Sequence, residues 1–203
     1  MKESEHSVLP WISGEFDISG LIRAEIHVLN SAQIRDDIAR EIERAGKSLT
    51  PRFIVILMDI AKWRAKAGTD GSRSWDETVK AIGDRIGPVL SPRDAFATLS
   101  EGRIVLLADT SGHYGKPDEF AQDIQLELAS GIMVSGEEII FPSSAGIAWV
   151  TAGCVSPDVV LSNATIALGR ARADGPGHAI IFHDWMRDLE IISTETVSEQ
   201  VQS

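Results

Sequence analysis

A run of consecutive apolar residues, Phe53-Ile54-Val55-Ile56-Leu57-Met58, stops abruptly at Asp59. A strand with one wet face alternates apolar and polar side chains, so an unbroken run has to be covered on both sides. It is far shorter than the ~20 apolar residues that cross a bilayer as a helix. The run therefore predicts a central strand. The carboxylate at its end has to be solvated or paired, because burying it alone is costly.

Helical patterns flank this strand. Asn30 or Ser31 can cap a helix in which Ile34, Ile38 and Ile42 recur every four residues, with an end near Gly46. Ser74 and Glu77 form a capping box ahead of Val79, Ile82 and Ile86, and Gly87-Pro88 stops that helix. Pro117-Asp118-Glu119 opens a third, with Phe120, Ile124 and Leu128 on one face. Ser156-Pro157-Asp158 caps a fourth, which turns Val160, Ala164, Ala167, Leu168 and Ala171 inward and breaks at Gly175-Pro176-Gly177.

Between the helices lie strands. Ala95 to Leu99 and Arg103 to Leu107 read as a hairpin around Ser100-Glu101-Gly102. A second hairpin turns at Ser135-Gly136, Ser144 to Val150 is a strand carrying Gly146, and His178 to Phe182 is a last one. Trp185 to Ile192 reads as a short helix before a polar tail. This order predicts an α/β fold, a central, mostly antiparallel sheet flanked by helices. The expected division is an N-terminal extension over residues 1–28, one domain over 29–184, and a C-terminal tail or truncated linker over 185–203. The extension lacks a period but is apolar enough to dock on the domain or on a partner.

Composition narrows the function. The 203 residues carry a net charge of −11, and the basic residues are scattered apart from Lys62, Arg64 and Lys66. Such a surface repels a polyanion, so nucleic acid is not an expected partner. A small nucleotide is compatible, since bound magnesium offsets its charge. One cysteine, Cys154, excludes a disulfide framework and reads as a small buried residue. No transmembrane run or signal peptide is read, which makes the cytoplasm the expected location and leaves no membrane partner. His178, His183 and Asp184 lack a further ligand for a metal. Asp70-Gly71-Ser72-Arg73-Ser74 lacks the lysine and spacing of a phosphate loop.

Several short motifs, taken in order, resemble those of the GGDEF family, the diguanylate cyclase domains of bacterial signalling proteins. They are Leu57-Met58-Asp59-Ile60-Ala61-Lys62-Trp63, Trp75-Asp76, Ser91-Pro92-Arg93-Asp94, Ser144-Ala145-Gly146-Ile147-Ala148, and Ala167-Leu168-Gly169-Arg170-Ala171-Arg172 followed by Gly175. The resemblance spans about residues 27–183. It implies a nucleotide-cyclase, palm-like sheet and the condensation of two GTP molecules into cyclic di-GMP. In that reaction a ribose 3′ oxygen attacks an α-phosphorus while two magnesium ions bridge the phosphates.

Carried over residue by residue, the resemblance puts Asp59 at the metal-binding aspartate and Asp76 at the residue that contacts guanine. Both have plainer readings, Asp59 as a solvated strand end and Asp76 as an acid favoured by the start of a helix. The family's base-holding asparagine falls on Ala67. The signature Gly-Gly-Asp/Glu-Glu-Phe falls on Ser100-Glu101-Gly102-Arg103-Ile104, so the second metal ligand becomes Gly102 and the next acid becomes Arg103. Arg172 keeps the charge of a phosphate-binding lysine, whereas an arginine after the turn falls on Pro176. The inhibitory Arg-x-x-Asp frame reads Ser91-x-x-Asp94, with Arg93 displaced beside the aspartate.

With no catalytic set left intact, the expectation is an inactive, degenerate domain with a regulatory or interaction role. Its expected partner is a protein or a second copy, with GTP or cyclic di-GMP as candidate ligands and magnesium only alongside a nucleotide. One alternative is a GTP-binding sensor using Asp59, Asp76 and Arg172. Another is a residual cyclase in which Glu101 replaces the missing ligand; that needs a bulge, since a one-residue slip turns a side chain to the other face.

Overall fold

The apolar run forms strand β2 (Phe53–Asp59), and its place in the sheet follows from its sequence. The computed structural model describes residues 28–47, 50–60, 75–100, 102–111 and 116–188. Beside β2 lie β4 (Arg103–Asp109) and β7 (Ser144–Val150), both antiparallel to it. Outside these come β3 (Ala95–Ser100), antiparallel to β4, then two short parallel additions, β1 (Val28–Leu29) and β8 (Ala179–Ile181). The order is β1-β3-β4-β2-β7-β8, mostly antiparallel as expected. A separate hairpin pairs β5 (Ile132–Val134) with β6 (Glu137–Ile139). Its turn residues, Ser135 and Gly136, both have positive φ, which matches the twist of a tight hairpin.

Among the described residues four helices cover the sheet: α1 (Ser31–Ala45), α2 (Trp75–Ile86), α3 (Pro117–Ala129) and α4 (Pro157–Asp174). The alternation of β2 splits its apolar run between two cores. Ile54, Ile56 and Met58 pack with Val79, Ile82 and Ile86 of α2 and with Phe120, Ile124 and Leu128 of α3. Val55 and Leu57 pack with Ile34 and Ile38 of α1 and with Val160, Ala164 and Leu168 of α4.

Local signals explain the helix ends. Asn30, not Ser31, caps α1: its side chain accepts from the amides of Ala32 and Gln33, and the Gln33 side chain returns to the Asn30 amide. Ser156 has the extended backbone of an N-cap but makes no capping side-chain hydrogen bond; α4 begins on Pro157, whose ring presets the helical φ. Ser74, the expected cap of α2, lies outside the described residues, and the Glu77 carboxylate accepts a hydrogen bond from Ser135 at 2.7 Å.

Two expectations change in detail. The strand β1 begins at Val28, inside the stretch read as an aperiodic extension, because a two-residue edge strand is too short to show a period. Ser100 belongs to β3 and pairs with Arg103, rather than lying in the turn. The ladder shifts register between Thr98 and Ser100, where β3 carries one more residue than β4.

Gly146 sets the distance between α4 and the sheet. A Cβ there would lie 2.1 Å from the Ala164 carbonyl oxygen and 2.3 Å from the Leu168 amide nitrogen. The helix backbone thus rests directly on β7, and this seat carries Arg172, one turn beyond Leu168, to the end of β2.

Candidate functional site

The sheet presents a buried aspartate at each end of the β2–β4 ladder. Asp59 stands at the C-terminal end of β2, opposite Arg103 on β4 and Ser144 on β7. Its side chain is only 8% exposed, and Arg172 Nη1 lies 3.1 Å from Asp59 Oδ2. The strand-end carboxylate is therefore paired, by a residue the sequence singled out independently. Directly opposed residues of an antiparallel pair point to the same face, so Arg103 shares the face of Asp59.

The turn is fastened to this site. The Ile60 amide donates to the Gly102 carbonyl oxygen at 2.8 Å. Gly102 has φ 78°, a conformation that suits glycine and strains other residues. The position that carries the second metal ligand in the resemblance thus sits against the end of β2 with no side chain to offer.

The described residues here do not by themselves make up a two-magnesium centre. Magnesium takes hard oxygen ligands. Among the described residues, the one carboxylate at this place is paired with a guanidinium, a second arginine faces it across the ladder, and no group of acids, histidines or cysteines is placed to hold a metal. Glu101, Trp63 and Ala67 lie outside the described residues, as do Lys62, Arg64, Lys66 and Asp70–Ser74.

The other candidates separate. Asp76 is exposed in the first turn of α2, whose buried side chains belong to the opposite core. Among the described residues no hydrogen bond or ion pair joins it to Asp59, Arg103 or Arg172. Arg93 and Asp94 lie at the far end of the ladder. Asp94 Oδ2 accepts from the Ser91 amide at 2.7 Å and Oδ1 from the Asp109 amide at 2.9 Å. Arg93 Nη1 lies 3.4 Å from Asp109 Oδ2. His178 Nδ1 lies 3.1 Å from the Gly175 carbonyl oxygen, and His183 stacks on Trp185. Cys154 is buried.

The sequence reading passed over Asp109, the ladder's second buried aspartate, which is 2% exposed. It accepts from Arg52 Nε at 3.0 and 3.1 Å, and from the Ser111 amide and hydroxyl at 3.0 and 2.7 Å. Burial pushes its carboxyl up. The hydrogen bonds from Arg52 and Ser111 and the charge of Arg52 outweigh burial and hold it well below the usual carboxylate range. Arg52 is raised in turn. The signal was present: antiparallel pairing of Phe53 with Asp109 brings the neighbouring Arg52 to that carboxylate.

A cleft of ≈ 800 Å³ opens at this far end, lined in part by Arg40, Arg44, Arg52 and Arg93 with Asp37 and Glu41. Its arginines are engaged: Arg40 with Asp37, Arg44 with Glu41, and Arg52 and Arg93 with Asp109. No helix of the described residues is long and apolar enough to cross a membrane.

Comparison with known proteins bears on this geometry. The family described as "Diguanylate cyclase, GGDEF domain" matches residues 27–178. No curated protein sequence matches the chain. Among solved structures, the GGDEF domain of YfiN (TpbB) from Pseudomonas aeruginosa is 20% identical with a TM-score of 0.68, covering 84% of this chain and 98% of that one. A sensory box/GGDEF family protein from Caulobacter crescentus is 21% identical, with a TM-score of 0.61 over 75% of this chain and 100% of that one. The GGDEF domain of DgcB from Caulobacter crescentus, in complex with c-di-GMP, is 17% identical with a TM-score of 0.63, covering 78% and 95%. The chain shares its fold with these domains and belongs to the GGDEF family.

Proposed function

We propose that this chain is a catalytically inactive GGDEF domain that serves cyclic di-GMP signalling as a regulatory or interaction module in the bacterial cytoplasm. One observation carries the reading. Where condensation of GTP needs a second carboxylate beside the strand-end aspartate, this chain has Gly102, and Arg103 stands opposite Asp59 on the ladder. A scaffold outlasts its chemistry readily, so function has to be argued from the site.

The partner in this reading is a protein or a second copy of the chain. In support, the diguanylate cyclase SiaD of Pseudomonas aeruginosa, 58% of whose chain this one matches, was solved in complex with its activator SiaC. Arg172 remains the residue for a nucleotide's phosphates, with Asp59 paired to it, and Asp76 the residue for its base.

Incubation of the full chain with GTP and magnesium, followed by chromatography for cyclic di-GMP, tests the proposal. The expected result is no product. Product that disappears on Glu101→Ala contradicts the reading and makes Glu101 the replacement ligand.

A further inference from the structure

Resting on the reading of an inactive domain, we propose that the Asp59 end of the sheet binds the polyphosphate chain of a nucleotide directly on Arg103 and Arg172, without magnesium. A site that holds a nucleotide through metal ions has to be locally negative before the metal arrives. The described side chains of this one carry the opposite sign. The described side chains here include one carboxylate, Asp59, and two guanidinium groups, Arg172 at 3.1 Å and Arg103 in the opposing register position. Arg103 opposes Asp59 in the ladder and shares its face, so its side chain extends from the same end of the sheet as the Asp59–Arg172 pair. A divalent cation arriving there meets two positive charges; a phosphate meets two forks of donors.

The donors are available. Arg172 spends part of its fork on Asp59, and its side chain is 52% exposed. Arg103 is half-buried and has no ion-pair partner among the described residues. Guanidinium geometry matches phosphate oxygens two at a time, and charge-assisted bonds of this kind are strong. Asp59 is then a positioning residue: it holds Arg172, carried in on α4, against the end of β2. The arginines in the cleft at the far end are each engaged with a carboxylate. The contrast in charge is the more telling because the whole chain has a net charge of −11.

Isothermal titration of the full chain with inorganic tripolyphosphate, in EDTA and then in excess magnesium, tests this. Binding is expected in EDTA and is weakened by magnesium, which competes for the phosphate oxygens. Arg103→Gln and Arg172→Gln should each weaken it about tenfold or more, while Arg103→Lys retains part of it. Asp59→Asn should leave affinity equal or higher, because the amide oxygen still accepts from Arg172 while the negative charge beside the anion is gone; a metal-held phosphate would instead lose affinity. The inference is overturned by absence of binding in EDTA, by binding that appears only with magnesium and vanishes in Asp59→Asn, or by binding that neither glutamine substitution affects. Each of these results leaves the proposed inactivity standing as long as no cyclic di-GMP forms; formation of that product would defeat the underlying reading instead.

Discussion

The two ends of the β2–β4 ladder are built from the same parts and do different work. Each has an aspartate almost removed from water and an arginine against it. At the Asp109 end the carboxylate is saturated: Arg52 and both donors of Ser111 close on it, and the Asp109 amide is taken by Asp94. The Arg52 and Asp94 bonds there join the start of β2 and the approach to β3 to the end of β4. At the Asp59 end the arginine comes from α4, half its side chain stays in solvent, and Arg103 faces the pair. A saturated polar network specifies a fold. A carboxylate outnumbered by nearby cations leaves donors for something else. In the function proposed above, one end serves stability and the other ligand binding, and substitutions should separate the two.

The largest effect should come from the element on which the Asp59 end depends. In Gly146→Val the new side chain meets the α4 backbone, where no rotamer change relieves it. Overpacking of this kind costs about 3 kcal/mol, seen as a lower urea midpoint, and should displace Arg172 together with α4. A variant as stable as the parent would mean that α4 does not rest on β7 as described.

Next comes the saturated end. Asp109→Asn should cost about 2 kcal/mol, since hydrogen bonds to a charged group are lost while Ser111 and Arg52 stay in place. The dependence on pH has a definite sign. The folded carboxyl lies below its ordinary value of 3.8, so its contribution is complete above that value and is lost as pH falls through and below it. Urea unfolding at neutral pH and near pH 3 should therefore show a gap between parent and variant that narrows in acid. A gap that widens in acid would reverse the assignment.

The smallest effect should be at the other end. Asp59→Asn should cost under about 1 kcal/mol, because a pair with a half-exposed arginine gains little net energy after desolvation. If Asp59→Asn costs as much as Asp109→Asn, the two ends are alike and the division proposed here fails.

How much of this the sequence disclosed depends on distance along the chain. Periodicity is local, so the four helices, the central strand and both hairpins were legible from Ile34-Ile38-Ile42, the run ending in Asp59, and the turn residues. The resemblance of several short motifs placed the family. The two-residue strand β1 was invisible because it has no period. Arg52 with Asp109, and Arg103 opposite Asp59, depend on strand register, which neither segment states alone. Aligning the apolar run antiparallel to the hairpin would have exposed both pairs. The side chain of Ser156 was expected to cap α4 because cap preferences are averages; here the fixed φ of Pro157 starts the helix without it.

The most direct test is a crystal structure of the chain soaked with GTP and manganese, read by anomalous scattering. We expect no manganese peak at coordination distance from Asp59, with Arg172 still against its carboxylate and phosphate density beside Arg103. A peak bridging Asp59 and the nucleotide phosphates, with Arg172 turned away, would show that the site remains a metal centre and would contradict the account.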